Sequence, residues 1–203
     1  MASLFISIFL AFIIGSIPTS YIFGKLLKKI DIRKHGSGNV GATNVFRVVG
    51  KIPGIAVLVI DILKGVLSVL FLPEAFFNNA IGVSLGLELY EILIGIATIS
   101  GHVFSVFLKF KGGKGVATTA GVLAVLAPKV LAGSAAIWIL VFFLVKIVSV
   151  ASIVASLFLP IFSLIFYQSI HLVLFTVVLC IASTYKHKPN IRRLIRGEEK
   201  KII

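Results

Sequence analysis

Long uninterrupted apolar runs constrain this chain before anything else. Seven are visible, at about 3–24, 52–72, 80–108, 115–127, 130–145, 147–166 and 169–185. Several approach or exceed the roughly 20 residues that carry a helix across a bilayer. Hydrocarbon offers the backbone no water, so a span either closes its own hydrogen bonds as a helix or joins a closed barrel. These runs are continuously apolar instead of alternating, which argues against a barrel. A hydrophobic fraction of 59% and a mean hydropathy of +1.13 exclude an ordinary soluble protein. The expected fold is all-α: a polytopic membrane bundle of about seven transmembrane helices, forming a single domain over 1–203. The third run carries Glu88 and Glu91, so its spanning part is expected to start near residue 88. The fourth and fifth are short and parted by Pro128 and Lys129, which suits either a bent hairpin or two short crossings.

In a soluble chain the net charge of +13 would suggest nucleic acid. Here placement decides. Of the 20 basic residues, 18 fall in 25–51, 109–114, Lys146 and 186–203, and the segment LPEAFFNNA has none. That is the positive-inside pattern. With seven crossings it puts the N-terminus outside and the C-terminus in the cytoplasm, and no nucleic-acid partner is expected. Charges follow the first run instead of preceding it, so a retained helix is expected there, not a signal peptide. The single Cys180 lies in an apolar run, so there is no disulfide framework.

On this topology the polar, glycine-rich stretches share the cytoplasmic face. In HGSGNVGATNVFRVVGK, residues 35–51, Gly36, Gly38 and Gly41 interleave with Ser37, Asn39, Thr43, Asn44 and Arg47. Glycine lets backbone N–H groups turn toward a ligand, nests of N–H groups bind anions, and a guanidinium fork suits phosphate or carboxylate. A flexible loop is the plain alternative, but it does not require so dense a polar pattern. In GHVFSVFLKFKGGKGVATTAG, residues 101–121, an apolar run ends in Lys109, Lys111, Gly112, Gly113, Lys114 and Gly115, and a helix is expected to begin near Val116. A glycine turn before a helix N-terminus is a ready anion site. A positive-inside turn explains the lysines but not GGKG followed by ATT. Neither spacing matches the Walker or dinucleotide fingerprints.

The tail HKPNIRRLIRGEEKK sets His187 and Asn190 three apart at the mouth of the last helix. It reads either as a basic amphipathic segment on anionic lipid or as part of the same cleft. Asp61 and Lys64, on one helix face within an apolar run, are either an internal ion pair or functional groups. His102 is either a hydrogen-bonded core residue or an acid–base group. No zinc-ligand spacing, H-E-x-x-H or G-x-S-x-G occurs, and the basic loops hold no acidic pair to bind Mg²⁺. No metal and no cofactor is expected. The chemistry that remains is a cationic, donor-rich site for phosphates at a membrane edge.

GSIPTSYIFGK (15–25), GSGNVGATNVFR (36–47), DILKG (61–65), GHVFSVFLKFKGGKGVAT (101–118) and HKPNIRRLIRGEE (187–199) together resemble the bacterial acyl-phosphate:glycerol-3-phosphate acyltransferases, from the first helix to the tail. Ser105 departs from the proline common after GHxF in that family, which bears on local helix geometry. The resemblance implies a small enzyme of the bacterial inner membrane whose active site faces the cytoplasm. It implies transfer of a fatty acyl group from acyl phosphate to the first hydroxyl of glycerol 3-phosphate, giving lysophosphatidic acid and phosphate, the first step of phospholipid synthesis. No His is followed five positions later by Asp, unlike the His-Asp box of other glycerolipid acyltransferases. On this reading Arg47, Lys114, His187 and Asn190 grip glycerol 3-phosphate. Acyl phosphate lies along the backbone from Ser37 to Gly41, with Ser37 and Asn39 as donors. Thr43, Asn44, Lys111, Gly112 and Gly113 support either substrate. The proton acceptor is either His187 or a substrate phosphate oxygen. An organic-anion transporter, a metal-dependent lipid phosphotransferase and a membrane scaffold are the competing classes. The oligomeric state stays open.

Overall fold

The computed structural model describes residues 2–77 and 86–202. Part of LPEAFFNNA and the start of the third run lie outside them. The described residues contain helices and turns and no strand. They form two compact units, Met1–Leu126 and Ala127–Ile203, whose boundary falls between the fourth and fifth runs.

The first unit comprises α1 (Ala2–Ser16), α2 (Thr19–Lys28), α3 (Ala42–Val48), α4 (Lys51–Phe76), α5 (Leu87–Val103) and α6 (Val116–Leu126). Short 3₁₀ turns at Ile32–Lys34 and Val106–Leu108 join them. The expected starts near 88 and 116 match α5 and α6. The first run is not one straight helix: it breaks at Ile17–Pro18, since proline supplies no N–H and its ring crowds the preceding turn. Helix α1 packs on α5, and α4 packs on α6. Both contacts bring backbones together at glycine. A Cβ on Gly101 would stand 2.1 Å from the Phe12 carbonyl oxygen, and one on Gly121 2.0 Å from that of Ile62. Lipid supplies little hydrophobic drive between helices, so close backbone approach through small residues does the joining. Large apolar side chains such as Phe9, Leu58 and Phe71 stay on the outside.

The second unit comprises α7 (Pro128–Val145), α8 (Val148–Phe166), α9 (Ile170–Lys186) and α10 (Lys188–Ile195). Ser149, Ala151, Ser152, Ala155 and Ser156 of α8 are buried, and Trp138 Nε1 of α7 donates to Ser152 Oγ at 3.1 Å. Helices α9 and α10 meet at a 52° bend beside Pro189, near the start of α10.

Among the described residues, five helical stretches are long and apolar enough to cross a membrane: Ala2–Lys28, Lys51–Phe76, Leu87–Leu108, Pro128–Val145 and Val148–Phe166. The bent pair α9–α10 raises the number to six, and α6 is a shorter apolar helix. The described part of each of the seven runs is therefore helical, the first as the broken pair α1–α2, with α6 at 11 residues the short one.

Candidate active site

The break between α1 and α2 opens onto a buried polar cluster. Thr19, at the start of α2, donates its Oγ1–H to Asp61 Oδ1 at 2.6 Å. Lys64 lies one turn along α4, with Nζ 2.8 Å from the same Asp61 oxygen. The same Nζ lies 2.8 Å from His102 Nδ1 on α5, with a longer 3.5 Å contact to the Ile17 carbonyl exposed by the break. All four polar side chains are buried, Asp61 and Lys64 at 2% and 6% exposure. An ammonium offers three donors and no acceptor. As an ammonium, Lys64 has one donor for each of the three contacts, with Nδ1 of His102 as an acceptor. This places the imidazole proton on Nε2. Asp61 and Lys64 are an internal ion pair, and its third member is His102.

Ser105 closes the same region: its hydroxyl donates to the Ser16 carbonyl at 2.5 Å, while Ser16 Oγ reaches the Gly101 carbonyl at 3.3 Å. With φ at −55°, Ser105 has a backbone that proline also adopts, so α5 ends at Val103 with serine here. A cavity of about 10 Å³ lies among Thr19, Ser20, Asp61, His102 and Gly113. That is close to the space of one water and too small for a phosphate.

The two glycine-rich loops meet above this cluster. A Cβ on Gly113 would stand 2.3 Å from His102 Nε2 and 2.5 Å from the Val40 carbonyl oxygen, so only glycine lets loop 111–115 settle between the imidazole and loop 36–41. Gly113 N–H donates to the His102 carbonyl at 3.0 Å, and Gly112 N–H to that of Val103 at 3.1 Å. In the first loop Gly36 and Gly38 have φ of +60° and +70°, a left-handed conformation costly for other residues. Asn44, buried on α3, organises this loop. Its Oδ1 accepts from Ser37 N–H at 2.9 Å, and its Nδ2 faces the carbonyls of Ile32, His35 and Asn39 at 3.2, 3.0 and 3.0 Å.

These bonds correct one expectation. The amide of Ser37 donates to Asn44 Oδ1 on α3, that of Gly38 to the His35 carbonyl, that of Asn39 to Ser37 Oγ at 3.4 Å, and those of Gly112 and Gly113 to the carbonyls ending α5. At Gly38, Gly112 and Gly113 glycine serves sharp turns and close contact between loops, with its N–H already engaged. For Ser37, Gly112 and Gly113 the sequence cannot reveal this, because the acceptors are a side chain on α3 and the end of α5. The amide of Asn44 is likewise engaged by the loop itself. Ser37 is exposed, Asn39, Thr43, Arg47 and Lys114 are half-buried, and Lys111 is exposed. Just before the loop, Arg33 grips Asp31 with two side-chain bonds of 2.9 and 2.8 Å, holding that carboxyl down at about 2, and its guanidinium sits 5.1 Å above the Tyr21 ring.

In the second unit His187 is buried, and its Nδ1 bonds the Ser183 carbonyl at 2.8 Å, which sets the neutral proton on Nδ1. Asn190 donates to Glu199 Oε1 at 2.5 Å; Ser149 reaches the same oxygen at 2.8 Å, and Arg193 Nε the other at 2.6 Å. Burial works to raise the Glu199 pKa, but the bonds from Arg193, Asn190 and Ser149 outweigh it, and the carboxyl lies below its ordinary value. Together with Ile202 N–H on the Lys146 carbonyl, at 3.1 Å, this folds the tail back along the unit. Glu199 and Thr19 lie in the motifs GEE and PTS, where the sequence alone assigns them no partner.

The family model for glycerol-3-phosphate acyltransferases matches residues 5–197. The chain belongs to the glycerol-3-phosphate acyltransferase family. A family member from Moorella thermoacetica is 44% identical over 97% of this chain and 96% of its own length. One from Desulforudis audaxviator is 46% identical over 94% and 91%. Among solved structures, the fold is similar to PlsY (YgiH), an integral membrane glycerol 3-phosphate acyltransferase, in its glycerol 3-phosphate form. The TM-score is 0.87 and the identity 35%, over 99% of this chain and 96% of that one. Its lysophosphatidic acid form gives 0.84 and 34%. The all-helical membrane fold expected from the apolar runs is therefore that of the acyltransferase family.

Proposed function

We propose that this protein transfers a fatty acyl group from acyl phosphate to the first hydroxyl of glycerol 3-phosphate. The supporting observation is likeness over nearly the full chain to an acyltransferase structure with glycerol 3-phosphate, together with the junction of two polar loops at Gly113. The hydroxyl oxygen attacks the acyl carbonyl carbon, an ester bond forms, and the carbon–oxygen bond of the mixed anhydride breaks. Lysophosphatidic acid and phosphate leave. The hydroxyl proton goes to His187 or to a phosphate oxygen. Acyl phosphate is already activated, so the enzyme's task is to hold two anions together and stabilise the developing oxyanion. Because several loop amides donate internally, the side chains of Ser37, Asn39, Arg47, Lys111 and Lys114 supply the donors. Asn44, Gly112 and Gly113 shape the loops, Thr43 supports either substrate, and Asn190 acts through its bond to Glu199. The proposed setting is a bacterial inner membrane, with about seven crossings, the N-terminus outside and the loops at the cytoplasmic edge, and both units working as one acyltransferase domain.

The test is purified protein in lipid with palmitoyl phosphate and glycerol 3-phosphate, without metal or coenzyme A, following phosphate and lysophosphatidic acid together. Arg47→Ala and Lys114→Ala should each remove most turnover while leaving the fold intact. Release of phosphate without the acylated product, or uptake of labelled glycerol 3-phosphate into vesicles lacking acyl donor, would refute the assignment.

A further inference from the structure

We infer that Asp61, Lys64 and His102 are positioning residues: a buried relay that holds the two polar loops in register by aiming the Nε2 edge of His102 at their junction. Four observations converge on this. Asp61 accepts from Lys64 and from Thr19, so the ion pair is tied to α2 as well as α4. Lys64 occupies Nδ1 of His102, and with Lys64 as an ammonium the ring turns its N–H outward through Nε2. The Nε2 edge lies where Gly113 and the Val40 carbonyl meet, one from each loop. The His102 carbonyl takes the Gly113 N–H, so a single residue bonds the second loop through its backbone and lies against it with its ring. A purely architectural ion pair within α4, joined to α5 through His102, would not need that third member to end on a loop. This inference rests on the acyl-transfer reading, in which those loops carry the phosphate donors.

Two sets of variants separate positioning from folding. In Asp61→Leu/Lys64→Met the pair is replaced by apolar side chains, an exchange that buried ion pairs often tolerate without loss of stability. His102→Gln keeps a side-chain N–H at the reach of Nε2, whereas His102→Asn reaches only the Nδ1 position. The expected result is a double variant with an unchanged or higher unfolding temperature and a KM for glycerol 3-phosphate raised at least tenfold. His102→Gln should stay within about threefold of the parent, and His102→Asn should match the double variant. Hydrogen exchange at the Gly113 amide should quicken at least tenfold in both impaired variants. An inactive parent enzyme would overturn the acyl-transfer reading alone, and the exchange measurement would still decide the relay. Unchanged KM and unchanged exchange in stable variants would overturn the relay. If the double variant does not fold, the order of Gln above Asn decides, and equal behaviour of the two overturns it.

Discussion

Replacing Asn44 by alanine should loosen the first loop without disturbing the helices around it. The side chain is 1% exposed and makes one accepted bond and three donor contacts, all to backbone of residues 32–39. Two amide hydrogens cannot fully serve three carbonyls, so about three bonds' worth is lost. At about 1 kcal/mol net each, the loop's ordered state loses about 3 kcal/mol. That is roughly 100-fold in its open–closed equilibrium. The assay is hydrogen exchange at Ser37 and Gly38 alongside steady-state kinetics. Exchange should accelerate by about two orders of magnitude and substrate KM should rise, with a small change in unfolding temperature. Asn44→Asp sharpens the test. Its carboxylate would still accept from Ser37 but would face three carbonyl oxygens, so it should be worse than alanine at neutral pH. Acidification should relieve it, since a neutral acid donates one bond. Protected amides and normal KM in Asn44→Ala would show that the glycine turns hold the loop unaided, and the reasoning would fail.

Gly113→Ala should cripple turnover, because its methyl would lie 2.3 Å from His102 Nε2 and 2.5 Å from the Val40 oxygen; kinetics on folded protein would check it. Glu199→Ala should release the tail, costing roughly 2–4 kcal/mol for three charge-assisted bonds that water partly replaces, and limited proteolysis near residues 192–201 would report it. The folded pKa of Glu199 is lowered, so its contribution is present above the ordinary glutamate value and is lost as pH falls through the folded one. The parent should therefore lose stability on acidification with a slope that Glu199→Ala lacks. Gly121→Ala should cost roughly 1–3 kcal/mol by pushing α6 from α4, whereas Gly86→Ala, with nothing within 4 Å, should be neutral or slightly stabilising in thermal unfolding.

The apolar runs, their punctuation by proline and glycine, and the placement of charge by themselves determined a helical membrane protein with polar loops gathered by topology. These are local properties: a segment's transfer into hydrocarbon depends on its own residues, and GGKG must interrupt a helix wherever it occurs. The motifs also carried the family, because they are long and in order. What the tertiary structure decided is who bonds to whom. Lys64 and His102 are 38 positions apart, and Thr19 and Asp61 are 42 apart. No periodicity connects such pairs, so the relay stayed ambiguous between core and site until α2, α4 and α5 were packed together. The same holds for the loop amides, read from glycine content as open donors. The acceptors for Ser37, Gly112 and Gly113, which are Asn44 and the carbonyls ending α5, arrive only through folding, and a donor with an acceptor in reach is taken up.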